Sequence, residues 1–171
     1  MSRSNKDIMY DFLQDPSREK FVDLVLNGDG EQNNLDFKEK WIEYQKISEL
    51  ILGIANSGGG TIIFGISELS DGTFENKGLD KLEDKANIES KVRKFLPEVV
   101  KFEVLDFDFS GEVYSKLKNK LFQVMMIYSE NELLPYIWNK DSNDSEIGTV
   151  FIRRGTKTCK ANGHELKELI E

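Results

Sequence analysis

The stretch Ala55-Asn56-Ser57-Gly58-Gly59-Gly60-Thr61-Ile62-Ile63-Phe64-Gly65-Ile66 decides how this chain folds. Just before it, Ile47, Leu50, Ile51 and Ile54 recur at helical spacing, and the run from Asn56 to Gly60 tolerates positive φ, so a helix is predicted to end there. Just after it, Thr61 to Ile66 is a β-branched apolar run, predicted as a strand covered on both faces. A phosphate loop needs its glycines between a strand and the N-terminus of the next helix. Here they follow a helix C-terminus, the negative end of its dipole, and no Gly-Lys-Ser/Thr occurs, so a tight turn is the better reading.

Upstream, Asp7 to Leu13 and Ser17 to Leu26 read as helices, the second with Ser17 as its cap. The turn formers of Asn27 to Asn34 then feed a strand at Leu35 to Lys40. Downstream, Leu82, Ala86, Val92, Phe95 and Leu96 mark one side of a second helix delimited by Pro97. From Val99 to Phe109 the apolar residues alternate, with a phase shift at Leu105-Asp106 that predicts a bulge. Leu121 to Tyr128 and Thr149 to Arg154 are further strands, and Glu165 to Ile170 starts a last helix. The order predicts an α/β (α+β) fold: a single mixed-sheet, two-layer domain over residues 29–171, with an N-terminal helical arm, residues 1–28, packed on it.

With 171 residues, 39% hydrophobic and 11% aromatic, the chain suits one domain. The single cysteine, Cys159, excludes an intrachain disulfide, and the N-terminus lacks a signal-peptide apolar stretch, so a cytoplasmic protein is expected. No apolar run reaches the roughly 20 residues a bilayer requires, so no membrane association is expected. A net charge of −8 argues against nucleic-acid binding by the whole surface. From Thr149 to His164, however, Arg153, Arg154, Lys157 and Lys160 occur with no carboxylate, compatible with one basic face.

The acids Glu31, Asp36 and Glu68 flank two candidate strands. If those strands are neighbours, the three could hold Mg²⁺ or Mn²⁺, hard cations that prefer oxygen ligands, for cation-assisted phosphodiester cleavage. The odd separation of Glu31 and Asp36 opposes this on a straight strand, although Asn33-Asn34 could supply a turn. With 31 acidic residues in the chain, solvated surface groups are the competing reading. Lys38 shares a face with Asp36, to pair with it or to touch a phosphate. Arg153, Arg154, Lys157 and Lys160 suit backbone phosphate contacts, or a charged strand edge that discourages strand addition. His164, alone of its type, cannot form a histidine zinc site, and the Cys159 thiol lacks a base. Trp41, Trp138, Tyr44 and Tyr136 stack on bases or belong to the core.

Glu31, Asp36-Phe37-Lys38, the glycine turn with its strand, Gly78, Pro135 and Phe151-Ile152-Arg153-Arg154-Gly155-Thr156 together closely resemble the Schlafen AlbA-like domain. The resemblance implies nucleic-acid work. Nuclease members cut transfer and ribosomal RNA with three carboxylates, two in a Glu-x4-Glu-Phe-Lys pattern and an aspartate just after the Gly-Val strand. Here the pattern falls on Glu31, Asp36 and Glu68, with Lys38 as its lysine, and Ser67 stands where a second acid often sits. On this reading the domain is a Mg²⁺- or Mn²⁺-dependent endoribonuclease acting on tRNA-like RNA, in phage defence, with Lys38, Lys40, Arg153, Arg154, Lys157 and Lys160 on phosphates. A homodimer would supply the second lobe that vertebrate nucleases carry. Other members are described as DNA-binding or regulatory modules of longer chains, so a noncatalytic DNA- or RNA-binding module is the alternative. A protein-interaction domain on an acidic scaffold is a third reading.

Overall fold

The computed structural model describes residues 5–28, 30–31, 34–113 and 116–171. Two helices, α1 (Asn5–Gln14) and α2 (Arg18–Asn27), precede strand β1 (Leu35–Lys38), helix α3 (Tyr44–Ala55) and strand β2 (Gly60–Phe64). A ribbon of β3 (Ile66–Glu68) and β4 (Phe74–Asn76) follows, then α4 (Lys85–Arg93), β5 (Phe102–Asp108) and β6 (Leu121–Ile127). The chain finishes with the hairpin β7 (Phe151–Arg154) and β8 (Lys157–Lys160), and with α5 (Gly163–Ile170). The central sheet runs β1-β2-β6-β5, with β1 parallel to β2 and the other pairings antiparallel, so it is mixed as expected.

The sheet is covered on both faces, which is why β2 reads as an unbroken apolar run. On one face, Ile47, Ile51 and Ile54 of α3 and Ile88 and Val92 of α4 pack with Ile62, Phe64, Met125 and Trp138. On the other, Ile8, Met9 and Phe12 of α1 and Phe21 and Leu24 of α2 pack with Leu35, Ile63, Phe107, Phe122 and Val124. The N-terminal helices therefore supply the second half of the core. Ser17 caps α2, its hydroxyl accepting the Lys20 N–H.

Two local expectations are corrected. The bulge at Leu105-Asp106 is absent, because β5 pairs with β6 one-to-one from Phe102↔Ile127 to Asp108↔Leu121. The phase shift has another cause: Phe102 and Val104 lean on the α3/α4 face, whereas Leu105, Phe107 and Phe109 fill the α1/α2 face. In α4 the buried residues are Ile88 and Val92, and Ala86 is exposed. Asp84, accepting the Asn87 N–H, starts that helix after Leu82.

The glycine turn works by close approach. A Cβ on Gly60 would lie 2.2 Å from the Asn34 carbonyl oxygen, so only glycine lets β2 enter beside β1. Gly65, at φ +117°, then breaks the predicted Thr61 to Ile66 strand into β2 and β3.

Candidate nucleic-acid interface

Strand alternation sets the site. Leu35 and Phe37 of β1 point into the α1/α2 face, so Asp36 and Lys38 point to the face carrying α3. The β7–β8 hairpin lies against α3. Gly53 makes room for it, since a Cβ there would sit 2.9 Å from the Thr158 Cγ2. Asn56, from the glycine turn, donates to the carbonyls of Tyr136 and Phe151 and accepts the Tyr136 N–H. Ser57 Oγ accepts the Arg153 N–H at 3.2 Å. The turn thus delivers Arg153 to Asp36.

Arg153 Nη1 lies 3.2 Å from Asp36 Oδ1, with the side chains 1% and 4% exposed. Lys38 Nζ lies 2.8 Å from Asp36 Oδ2, but off the direction of a good hydrogen bond. The ion-pair distance decides here: at 2.8 Å the attraction is strong even without alignment. Glu31 Oε1 accepts the Phe37 N–H at 2.9 Å on the outer edge of β1. Burial raises the Glu31 carboxyl above its usual range and the Asp36 charge adds to this, opposed by the Phe37 N–H, Lys38 and Arg153. A cleft of about 320 Å³ opens beside this cluster, lined among others by Asp36, Lys38, Lys46, Glu49, Arg153 and Thr158.

Glu68 is not part of the cluster. In the β3–β4 ribbon it pairs with Phe74, whose ring packs edge-on against Phe37, on the far side of β1 from Asp36. Ser67, not Glu68, has the opposite parity. Glu31 reaches the backbone beside Asp36, but its Oε1 is taken by the Phe37 N–H and both Asp36 oxygens face cations. Among the described residues no three His, Cys, Asp or Glu side chains are grouped so as to hold a metal ion. As placed, the residues do not fit a Mg²⁺ or Mn²⁺ site built from all three acids.

The other expected cations divide. Arg154 forms a bidentate ion pair with Glu165, which tethers α5. Lys160 Nζ donates to the Asp144 carbonyl at 2.6 Å, and Lys157 is exposed on β8. Lys40 is exposed beyond β1, facing a different cavity from the Asp36 cleft. Trp138 and Tyr136 are core, whereas Trp41 and Tyr44 are partly buried. His164 is exposed and pairs with Glu168. A surface furrow of about 680 Å³ along α2 lies apart from Asp36, and its Arg18 is held over Phe109 and by Glu112.

The family model described as Schlafen, AlbA_2 matches residues 31–162. The chain belongs to the Schlafen AlbA_2 family. Among solved structures, this AlbA_2 chain is similar to the N-terminal domain of a RecG-related protein from Nitrosomonas europaea. The two are 13% identical, with 95% of this chain and 97% of that one covered at a TM-score of 0.44. A comparison with curated proteins finds no match. No helix among the described residues is long and apolar enough to cross a membrane.

Three contributors to this candidate site escape sequence reasoning. Asn56 and Ser57 have the composition of turn formers, and only their polar side chains signal that the turn also bonds neighbouring backbone. Lys46 lies on the polar side of an otherwise apolar α3, a position ordinarily read as solvated surface.

Proposed function

We propose that this Schlafen AlbA_2 domain is a noncatalytic nucleic-acid-binding module that holds a strand by its phosphates along the cleft and the β7–β8 hairpin. The observation that carries this reading is the state of Asp36: with both oxygens facing Arg153 and Lys38, it serves to fix cations in place. Phosphate contacts then fall to Lys38 and to Lys46, shared with Glu49 and Asp144, at the cleft, and to Lys157 on the hairpin, whose segment from Thr149 to His164 has no carboxylate. Localised cations of this kind bind polyanions despite a net charge of −8, with strong salt dependence.

A metal-dependent endoribonuclease is the second reading, favoured by Glu31 bonding the Phe37 N–H next to Asp36, at the positions that resemble the nuclease members' acid pair. One experiment separates the two. The chain is incubated with tRNA and Mn²⁺, with and without chelator, beside Asp36→Ala, while binding is followed by anisotropy. The module reading expects the unaltered chain to bind, Asp36→Ala to bind more weakly, and the RNA to stay intact in every lane. Cleavage that disappears with chelator and with Asp36→Ala overturns it in favour of the nuclease.

A further inference from the structure

The segment from Lys38 to Ile42 runs between two cavities. Lys38 and Ile42 line the cleft at Asp36, whereas Lys40 and Trp41 line a second cavity of about 210 Å³, walled by Leu79, Asp80, Lys81 and Glu83. The Trp41 indole is held rigidly at this second cavity. It stacks on Phe64 with centroids 3.7 Å apart and planes 12° from parallel. Its Nε1 donates to Gln123 Oε1 at 2.9 Å. Gln123 is itself fixed: fully buried on β6, it also accepts the Glu83 N–H and donates to the Glu83 carbonyl and Asp106.

A large aromatic surface with its orientation locked offers stacking at little cost in conformational entropy. The charges around it say which part of a nucleic acid fits. Asp80 and Glu83 in the wall repel a phosphate, while Lys40, and Lys81 whose Nζ lies 4.0 Å from Glu83, attract one at the cavity rim. A flat neutral ring therefore suits the slot, and the charged backbone suits the lysines beside it.

We propose that the Trp41 slot takes one unstacked base of a single-stranded nucleic acid whose phosphates pass Lys38, Lys40 and Lys81. This rests on the nucleic-acid-binding reading and adds a preference for single strands, because a base within a duplex must leave its stack before it can enter.

The chain carries its own reporter. Of its two tryptophans, Trp138 has no exposed surface and is packed between Phe95 and Phe151, so only Trp41 can meet a ligand. The full chain is titrated at low salt with a labelled single-stranded oligonucleotide and with its duplex, reading anisotropy for binding and tryptophan emission for stacking. Single strand is expected to quench the emission, and Trp138→Phe is expected to retain that quenching. Trp41→Leu is expected to weaken single-strand binding about 10-fold, the effect of losing one stacked base. Should Trp41→Leu fail to fold, Trp138→Phe carries the test alone. Binding that leaves Trp138→Phe emission unchanged, or duplex that quenches it equally, overturns the slot while the binding reading stands. No anisotropy change with either ligand overturns both.

Discussion

Arg153 and Asp36 form a pair that is expensive to break and cheap to replace. Removing Arg153 leaves Asp36, in a site less than 5% exposed, with only the poorly aligned Lys38 opposite, so Arg153→Ala should lower stability by about 3 kcal/mol in urea unfolding. Replacing both with apolar residues of similar volume, Asp36→Leu with Arg153→Met, should restore most of that loss. Equal losses in the single and double variants would mean the pair is not the cause. Glu31 has the opposite sign. Its carboxyl titrates above the usual range in the folded chain, so ionising it opposes folding as pH rises through the window above about 4.5. Glu31→Gln, whose amide oxygen still accepts the Phe37 N–H, should therefore gain stability at neutral pH, with the gain vanishing below about pH 4.5. A gain of the same size at pH 4 and pH 7 contradicts the assignment. The pairing of Asp36 with Lys38 was legible in sequence because alternation alone sets it. The partnership with Arg153 was not, since it depends on how a distant hairpin docks, and Glu68 misled because Gly65 reorients the chain just before it.

Docking of the β7–β8 hairpin on α3 depends on an absent side chain. Gly53→Ala would drive a methyl to 2.9 Å from Thr158, so it should destabilise by about 1–3 kcal/mol although alanine favours helix. Thr158→Ala removes the opposing atoms and should make the double variant less damaging than the two single changes summed, as a double-mutant cycle would show. The last helix is tied down electrostatically. Glu165 is held at about 2, foremost by Arg154 and then by the Asn162 N–H of the capping box, so its anchoring is present above about pH 4.5 and fades as pH falls toward 2. Amide exchange in α5, compared with α3, should show protection persisting at pH 4; loss by then would contradict the tether. Element types were readable from periodicity. The β5 bulge was misread because a shift in apolar phase has two causes, an inserted residue or a change in which face is covered, and the sequence of one strand does not separate them.

Across the whole molecule, the N-terminal helices decide whether the sheet has two buried faces or one. Ile8, Met9, Phe12, Phe21 and Leu24 are all nearly inaccessible, and burying five such side chains contributes on the order of 10 kcal/mol, comparable with a domain's entire net stability. A chain begun at Gly30 should therefore lose cooperative unfolding and bind the dye ANS, though the family match begins only at residue 31. A sharp, two-state transition for that fragment would refute this view of the core. The helices themselves were legible. Their rank as half of the core was hidden because the partners Phe107 and Phe122 lie far along the chain. Glu31 has one further effect at this scale. β1 borders the sheet, and its Phe37 N–H is already occupied by the chain's own carboxylate. A second molecule seeking to grow the sheet sideways finds that donor taken and a negative charge in the way, so the native fold carries its own brake on polymerisation during concentrated storage.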